Sequence, residues 1–102
     1  MYVVICNCPT EDAVRIARTV VQSQAAACVN IGTPVTSVYR WNGAIEEATE
    51  TPIICKTSSR GLTRLRDMLL SLHPYDVPEI VALKAEAAGT LKAYADWVEE
   101  ET

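Results

Sequence analysis

Two short segments concentrate the side chains able to do chemistry. Cys6-Asn7-Cys8 is a C-x-C in a β-prone run, so both thiols fall on one face of a strand and could approach one soft ion such as Cu(I) or Zn(II). His73-Pro74-Tyr75-Asp76-Val77-Pro78-Glu79 gathers the only histidine, a tyrosine, two acids and two prolines between a helical and a β-prone stretch. Rigid polar loops of this kind often form sites. Each segment also has a plainer reading. Free cysteine is commonly a small buried hydrophobe, and a histidine closing a helix C-terminus favours the helix dipole. A structural zinc site usually takes roughly four Cys or His ligands; one His and two Cys would need another subunit or a non-protein ligand to complete the shell.

Lys56 follows the apolar run Ile53-Ile54-Cys55, and strand parity puts it on the side of Ile54 and Glu50 if Pro52 introduces no bulge. A Lys56–Glu50 pair could orient an anionic ligand, or be an ordinary cross-strand pair. Trp41 and Trp97 read as packing or interface anchors. The chain has no G-x-S-x-G, no Gly-rich phosphate loop, no H-E-x-x-H and no EF-hand loop. A nucleophilic Cys6 or Cys8 would have to meet His73 in space. Nothing in the spacing favours that, and the chain reads as a non-enzyme.

The elements that position these residues follow from periodicity. Residues 2 to 8 form an apolar run ended by Pro9, too short for a helix and suited to a strand. From Glu11 to about Ala25, Val14, Ala17, Val21 and Ala25 recur at helical spacing, with Thr10 as N-cap and Glu11 pairing Arg15 on the other side. Residues 28–41 and 44–57 are β-rich and joined by Asn42-Gly43, a strong type I′ hairpin signal. Gly32, Pro34 and Pro52 predict bulges or edges in that hairpin. Arg60 to Leu72 predicts a second helix capped by Ser58 or Ser59 and stopped by Pro74. Glu79 to about Ala85 predicts a last strand, and a short helix after Gly89-Thr90 presents Leu91, Tyr94, Trp97 and Val98. The order β-α-β-β-α-β plus a C-terminal helix predicts an α+β sandwich of ferredoxin-like type.

The 102 residues form one domain, 1-102, without repeats or linkers. Hydrophobic residues make up 49%, more than a body burying only roughly two thirds of its unfolded surface can comfortably hide, so an oligomer is expected. Nine basic against thirteen acidic residues, with no basic run, argue against nucleic acid as a partner. No apolar run reaches the roughly 18 residues of a membrane span, and no signal-peptide pattern opens the chain. The expectation is a cytoplasmic protein with reduced cysteines.

Ala26-Ala27-Cys28-Val29-Asn30-Ile31, Ser37-Val38-Tyr39-Arg40-Trp41-Asn42-Gly43, Lys56-Thr57, His73-Pro74-Tyr75-Asp76-Val77-Pro78-Glu79-Ile80-Val81 and Tyr94-Ala95-Asp96-Trp97 together resemble the CutA family of divalent-cation tolerance proteins, in order over nearly the whole chain. The resemblance implies a ferredoxin-like subunit in a homotrimer similar to the PII signalling proteins. It also implies that Trp41, Glu50, Lys56, His73, Tyr75, Pro78 and Glu79 gather near clefts between subunits. Copper or another divalent metal ion is implied as ligand, with Cys6 and His73 as metal candidates. The alternative is a signalling or adaptor trimer whose cleft takes a small anionic effector through Lys56. The chain departs from the family pattern at Leu72-His73, where relatives with a proposed copper site often carry two histidines, and Cys8 is the available substitute. It departs again at Ala48, where an acid is common, and at Lys84, where proline is usual.

Overall fold

In the computed structural model, which describes Met1–Thr102, the first strand sets the layering. β1 (Tyr2–Cys8) buries Val4, Cys6 and Cys8 and turns Val3, Ile5 and Asn7 to the opposite face. A 3-10 turn at Thr10–Asp12 leads into α1 (Ala13–Gln22), whose Ile16, Ala17 and Val20 are buried. Then come β2 (Cys28–Ile31), β3 (Val35–Trp41), β4 (Ala44–Thr57), α2 (Leu62–Leu72, with Leu65 and Leu69 buried), β5 (Ile80–Lys84) and α3 (Lys92–Glu101).

The strands form a five-stranded antiparallel sheet in the order β2-β4-β1-β5, with β3 also paired to β4. β1 faces β4 with Cys6 opposite Ile53 and Cys8 opposite Thr51, so the buried rows of the two strands coincide. Helices α1 and α2 cover that face, and Val4, Cys6, Ile16, Val20, Ile53, Cys55, Leu65 and Leu69 form the core. This is the predicted ferredoxin-like α+β sandwich. The far face of the sheet leaves Ile54, Val81 and Leu83 exposed. Beyond the body, β3 and the first half of β4 continue as a two-stranded arm, which stretches the subunit to 44 × 27 × 23 Å. At the tip, Asn42 and Gly43 take positive φ (50° and 78°), as a type I′ turn requires.

Several element edges differ from expectation. Thr10 does not cap α1; its hydroxyl instead accepts a 2.9 Å hydrogen bond from Thr51 Oγ1, and the chain enters the helix through the 3-10 turn. The helix ends at Gln22 rather than Ala25, because Gln24 turns the chain through the left-handed region (φ 61°). Arg15 pairs with Asp12 (3.1 Å), not Glu11, and also donates to the Leu72 carbonyl at the end of α2. Helix α2 begins at Leu62 with Gly61 as its N-cap and no side-chain cap, so the expected serine cap is not made; Ser58 Oγ instead accepts the Gly61 amide (3.1 Å) in the turn that leads into the helix.

The 28–41 stretch breaks at residues 32–34, yet Pro52 sits in an unbroken β4 opposite Asn7. The two facts are connected. The Pro52 carbonyl accepts the Gly32 amide (2.9 Å), so the N–H that proline lacks removes only the return bond of that one pair, just past the end of the β2 ladder.

Candidate functional site

Strand parity and the end of α2 build the first candidate site. Cys6 and Cys8 lie on the helix-covered face of β1 with their sulfurs 3.9 Å apart. His73 is the C-cap residue of α2, its amide bonded to the Leu69 carbonyl, and its ring reaches across to β1. Its Nε2 lies 2.6 Å from the Asn7 carbonyl, and the Tyr75 amide donates to its Nδ1 at 3.2 Å. A carbonyl on one side and an N–H on the other fix the neutral tautomer, with the proton on Nε2. One ligand atom from each of Cys6, Cys8 and His73 lies within 4.8 Å of the other two, and all three residues are buried.

The electrostatics of the pair are asymmetric. The hydrogen bond with Cys8, then burial, raises the Cys6 thiol far above its ordinary range, while the same hydrogen bond lowers that of Cys8. Two soft sulfurs and an imidazole form a donor set suited to Cu(I) or Zn(II) rather than to hard cations. The residues fit a soft metal ion. His73 would offer one ring nitrogen to the ion, and the backbone contact of the other would serve as the outer-shell bond that orients metal-binding histidines.

The second candidate is a cavity of about 960 Å³ between the arm and the loop that follows α2. Trp41, Glu50, Tyr75, Pro78 and Glu79, all singled out in the sequence, line it. His73 reaches its edge through its ring contact with Tyr75 (centroids 4.7 Å apart). Lys56 does not line it. Within the subunit Lys56 hydrogen-bonds Asn30 on β2 instead of pairing with Glu50, and no bulge at Pro52 redirects it. Asp76, the other acid of the 73–79 loop, lines it too, as do Tyr39 and Arg40, which the sequence reading gave no role of their own. The readable signal was the Tyr39–Trp41 pair, two residues apart on one strand and so on one face. Desolvation first, and then the Glu50 carboxylate, raise the Tyr75 phenol.

The layout of sheet and helices, with an arm and an adjoining loop framing a cleft, defines a PII-like α+β protein, and similar solved structures agree. PII-like protein CutA from Nostoc sp. PCC 7120 in apo form superposes with a TM-score of 0.95 at 37% identity, covering 100% of this chain and 97% of that one. The Thermus thermophilus divalent cation tolerance protein (Cut A1) structure superposes at 0.92 with 41% identity, covering 100% and 99%. A profile of the family described as CutA1 divalent ion tolerance protein matches residues 2–101, and the chain belongs to that family. By sequence it is 43% identical over 101 residues to the Thermus thermophilus divalent-cation tolerance protein CutA (98% of this chain, 96% of that protein). It is also 42% identical over 97 residues to human Protein CutA, covering 94% of this chain but only 53% of the human one.

Proposed function

We propose that this member of the divalent-cation tolerance family acts as a non-enzymatic homotrimer that binds copper or another soft metal ion in metal homeostasis. The observation that carries the reading is the buried trio of Cys6, Cys8 and His73, with ligand atoms mutually within 4.8 Å. In this chain Cys8 stands in for the second histidine of related sequences. All four cysteines are free, which suits a reducing, cytoplasmic setting. The exposed apolar row Ile54, Val81 and Leu83 supports association through the far face of the sheet.

Native mass spectrometry of the reduced protein during stepwise copper addition tests both halves of the proposal. A three-subunit species that gains up to one ion per subunit, in saturating steps, is expected. Cys8→Ser and Cys6→Ser should each weaken binding by about tenfold or more, the loss of one strong ligand, and His73→Gln should do so to a similar degree. Unchanged affinity in all three variants would remove the site, and a folded monomer at working concentration would remove the trimer.

A further inference from the structure

We infer that Asn42, at the tip of the arm and remote from the metal trio in its chemistry, is a modification site. Its side chain closes on the following backbone nitrogen to a succinimide, which opens to isoaspartate, a substrate for carboxyl methyltransferases that recognise isoaspartyl groups. Such a closure joins an asparagine to its own main chain, so the next residue decides it. Asn7 precedes Cys8, Asn30 precedes Ile31 and Asn42 precedes Gly43. Only glycine has no side chain to screen its nitrogen.

The fold sharpens the contrast. Asn7 lies in β1 with its carbonyl against His73, and Asn30 lies in β2 with its side chain engaged by Lys56. Asn42 and Gly43 are both exposed, and a Cβ placed on Gly43 would meet nothing within 4 Å, so the approach to its nitrogen is open. Trp41 and Ala44 close the hairpin, which leaves the Gly43 N–H outside the ladder. Asn42 also holds a left-handed φ of 50°, which an L residue adopts at a cost and which opening of the turn relieves. Because β3 pairs with β4 alone, the tip can open without disturbing the body of the sheet.

In the open turn the Gly43 nitrogen gives its proton to hydroxide and attacks Cγ of Asn42. The N–Cγ bond forms, the Cγ–Nδ2 bond breaks and ammonia leaves. Water then adds to one of the two imide carbonyls: at Cγ it gives aspartate, and at the main-chain carbonyl it gives isoaspartate, whose backbone runs through Cβ and Cγ. The net change is uptake of one water and loss of one ammonia. Isoaspartate lengthens the backbone of a two-residue type I′ loop, and the turn is what sets hairpin register. Trp41 and Ala44 then no longer face each other. The new carboxylate also stands at the head of the strand that carries Glu46 and Glu47. The aged arm should therefore loosen from its tip inwards.

The test ages the folded, full-length protein in mildly alkaline buffer and maps its peptides by mass spectrometry. Methyl transfer from labelled S-adenosylmethionine by an isoaspartyl carboxyl methyltransferase is the second readout. Conversion is expected at Asn42 while Asn7 and Asn30 stay intact, faster as pH rises, with methyl uptake growing in step. Asn42→Gly suits a position of positive φ, keeps the turn and should reduce methyl uptake to background. Amide hydrogen exchange should quicken over β3 and the first half of β4 in the aged parent and not in the aged variant. An intact Asn42 after a free peptide of the same sequence has converted, conversion to aspartate alone, or methyl uptake that persists in Asn42→Gly would overturn the inference. Unchanged exchange in a fully converted sample would overturn the loosening of the arm. The reaction needs neither a metal nor a second subunit, so failure here leaves the metal reading standing, and loss of copper binding leaves this one standing.

Discussion

Cys55 shows what burial does to a thiol here. It lies on β4 between β1 and β2, opposite Val4 on one side and Val29 on the other, and is fully buried in the core. Desolvation, the largest cause, pushes its pKa up to about 12. The linkage has a definite sign. The folded state keeps this proton while the unfolded chain releases it near the ordinary thiol value of 9.0, so the contribution to stability is complete below pH 9 and disappears as pH rises towards 12. Stability should fall across that window with a slope approaching about 1.4 kcal/mol per pH unit for such a group. Cys55→Val, close in volume and without a proton to lose, should flatten the decline. Urea denaturation at pH 8, 9.5 and 11 measures it, and parallel pH profiles for parent and variant would show that Cys55 is not responsible. The neighbouring sulfurs differ because they have each other. Cys6 and Cys8 were legible as two thiols on one face, since parity alone dictates it. That His73 joins them was carried by the family resemblance and not by spacing, because the contact spans 66 residues and depends on how α2 packs across β1.

The junction of β2, β3 and β4 is the element where local sequence signals had to be reconciled by packing. Gly32 and Pro52 each read as an interruption, and in the fold they are a matched pair. A Cβ on Gly32 would stand 2.9 Å from Pro52 Cγ and 3.3 Å from the Pro52 carbonyl oxygen, so only glycine lets the chain approach closely enough for its amide to reach that carbonyl. Gly32→Ala should therefore cost roughly 1–3 kcal/mol, the usual range for overpacking, and should loosen the arm selectively. Amide hydrogen exchange would show faster exchange over β3 and the first half of β4, with β1 and α1 little changed. Uniform destabilisation without this local pattern would refute the pairing. Most of the element order was readable for a related reason. The Asn42-Gly43 turn, the period-two run of β1 and the Leu62, Leu65, Leu69, Leu72 stripe of α2 are local patterns with one physical solution each. The spacing of the residues alone did not show which side chains the arm and the 74–79 loop bring together; the family resemblance named Trp41, Glu50, Tyr75, Pro78 and Glu79 among them. Strand parity paired Lys56 with Glu50 and the resemblance placed it in the cleft group, yet within the subunit β2 lies beside it and Asn30 takes its ammonium group. Tyr39, Arg40 and Asp76 enter the cavity only because the arm and the loop meet.

At the scale of the whole molecule, one face of the sheet is complete within the subunit and the other is not. Two helices seal the row Val4, Cys6, Ile53 and Cys55, while Ile54, Val81 and Leu83 lie in the open on the far face (40%, 47% and 52% exposed). Their positions are in register: Val81 stands opposite Ile5 and Leu83 opposite Val3 on β1, and Ile5 stands opposite Ile54 on β4. The result is a continuous apolar band across three strands rather than scattered residues, the kind of patch that marks an interaction surface. Burying a leucine is worth roughly 1.5–3 kcal/mol, and a closed symmetric assembly repeats that term in every subunit. A charge on this band should therefore break the proposed trimer while sparing the fold. Leu83→Asp is expected to shift the mass measured by light scattering from three subunits towards one at micromolar concentration. Val14→Asp, an equally exposed position on α1 (56%) away from that face, serves as the control and should leave the mass unchanged. If both variants kept the parent mass and melting temperature, subunits would not associate through this face. If both dissociated, the effect would be one of added charge rather than of the apolar band. Only dissociation confined to Leu83→Asp assigns the second layer of this sandwich to neighbouring copies of the chain.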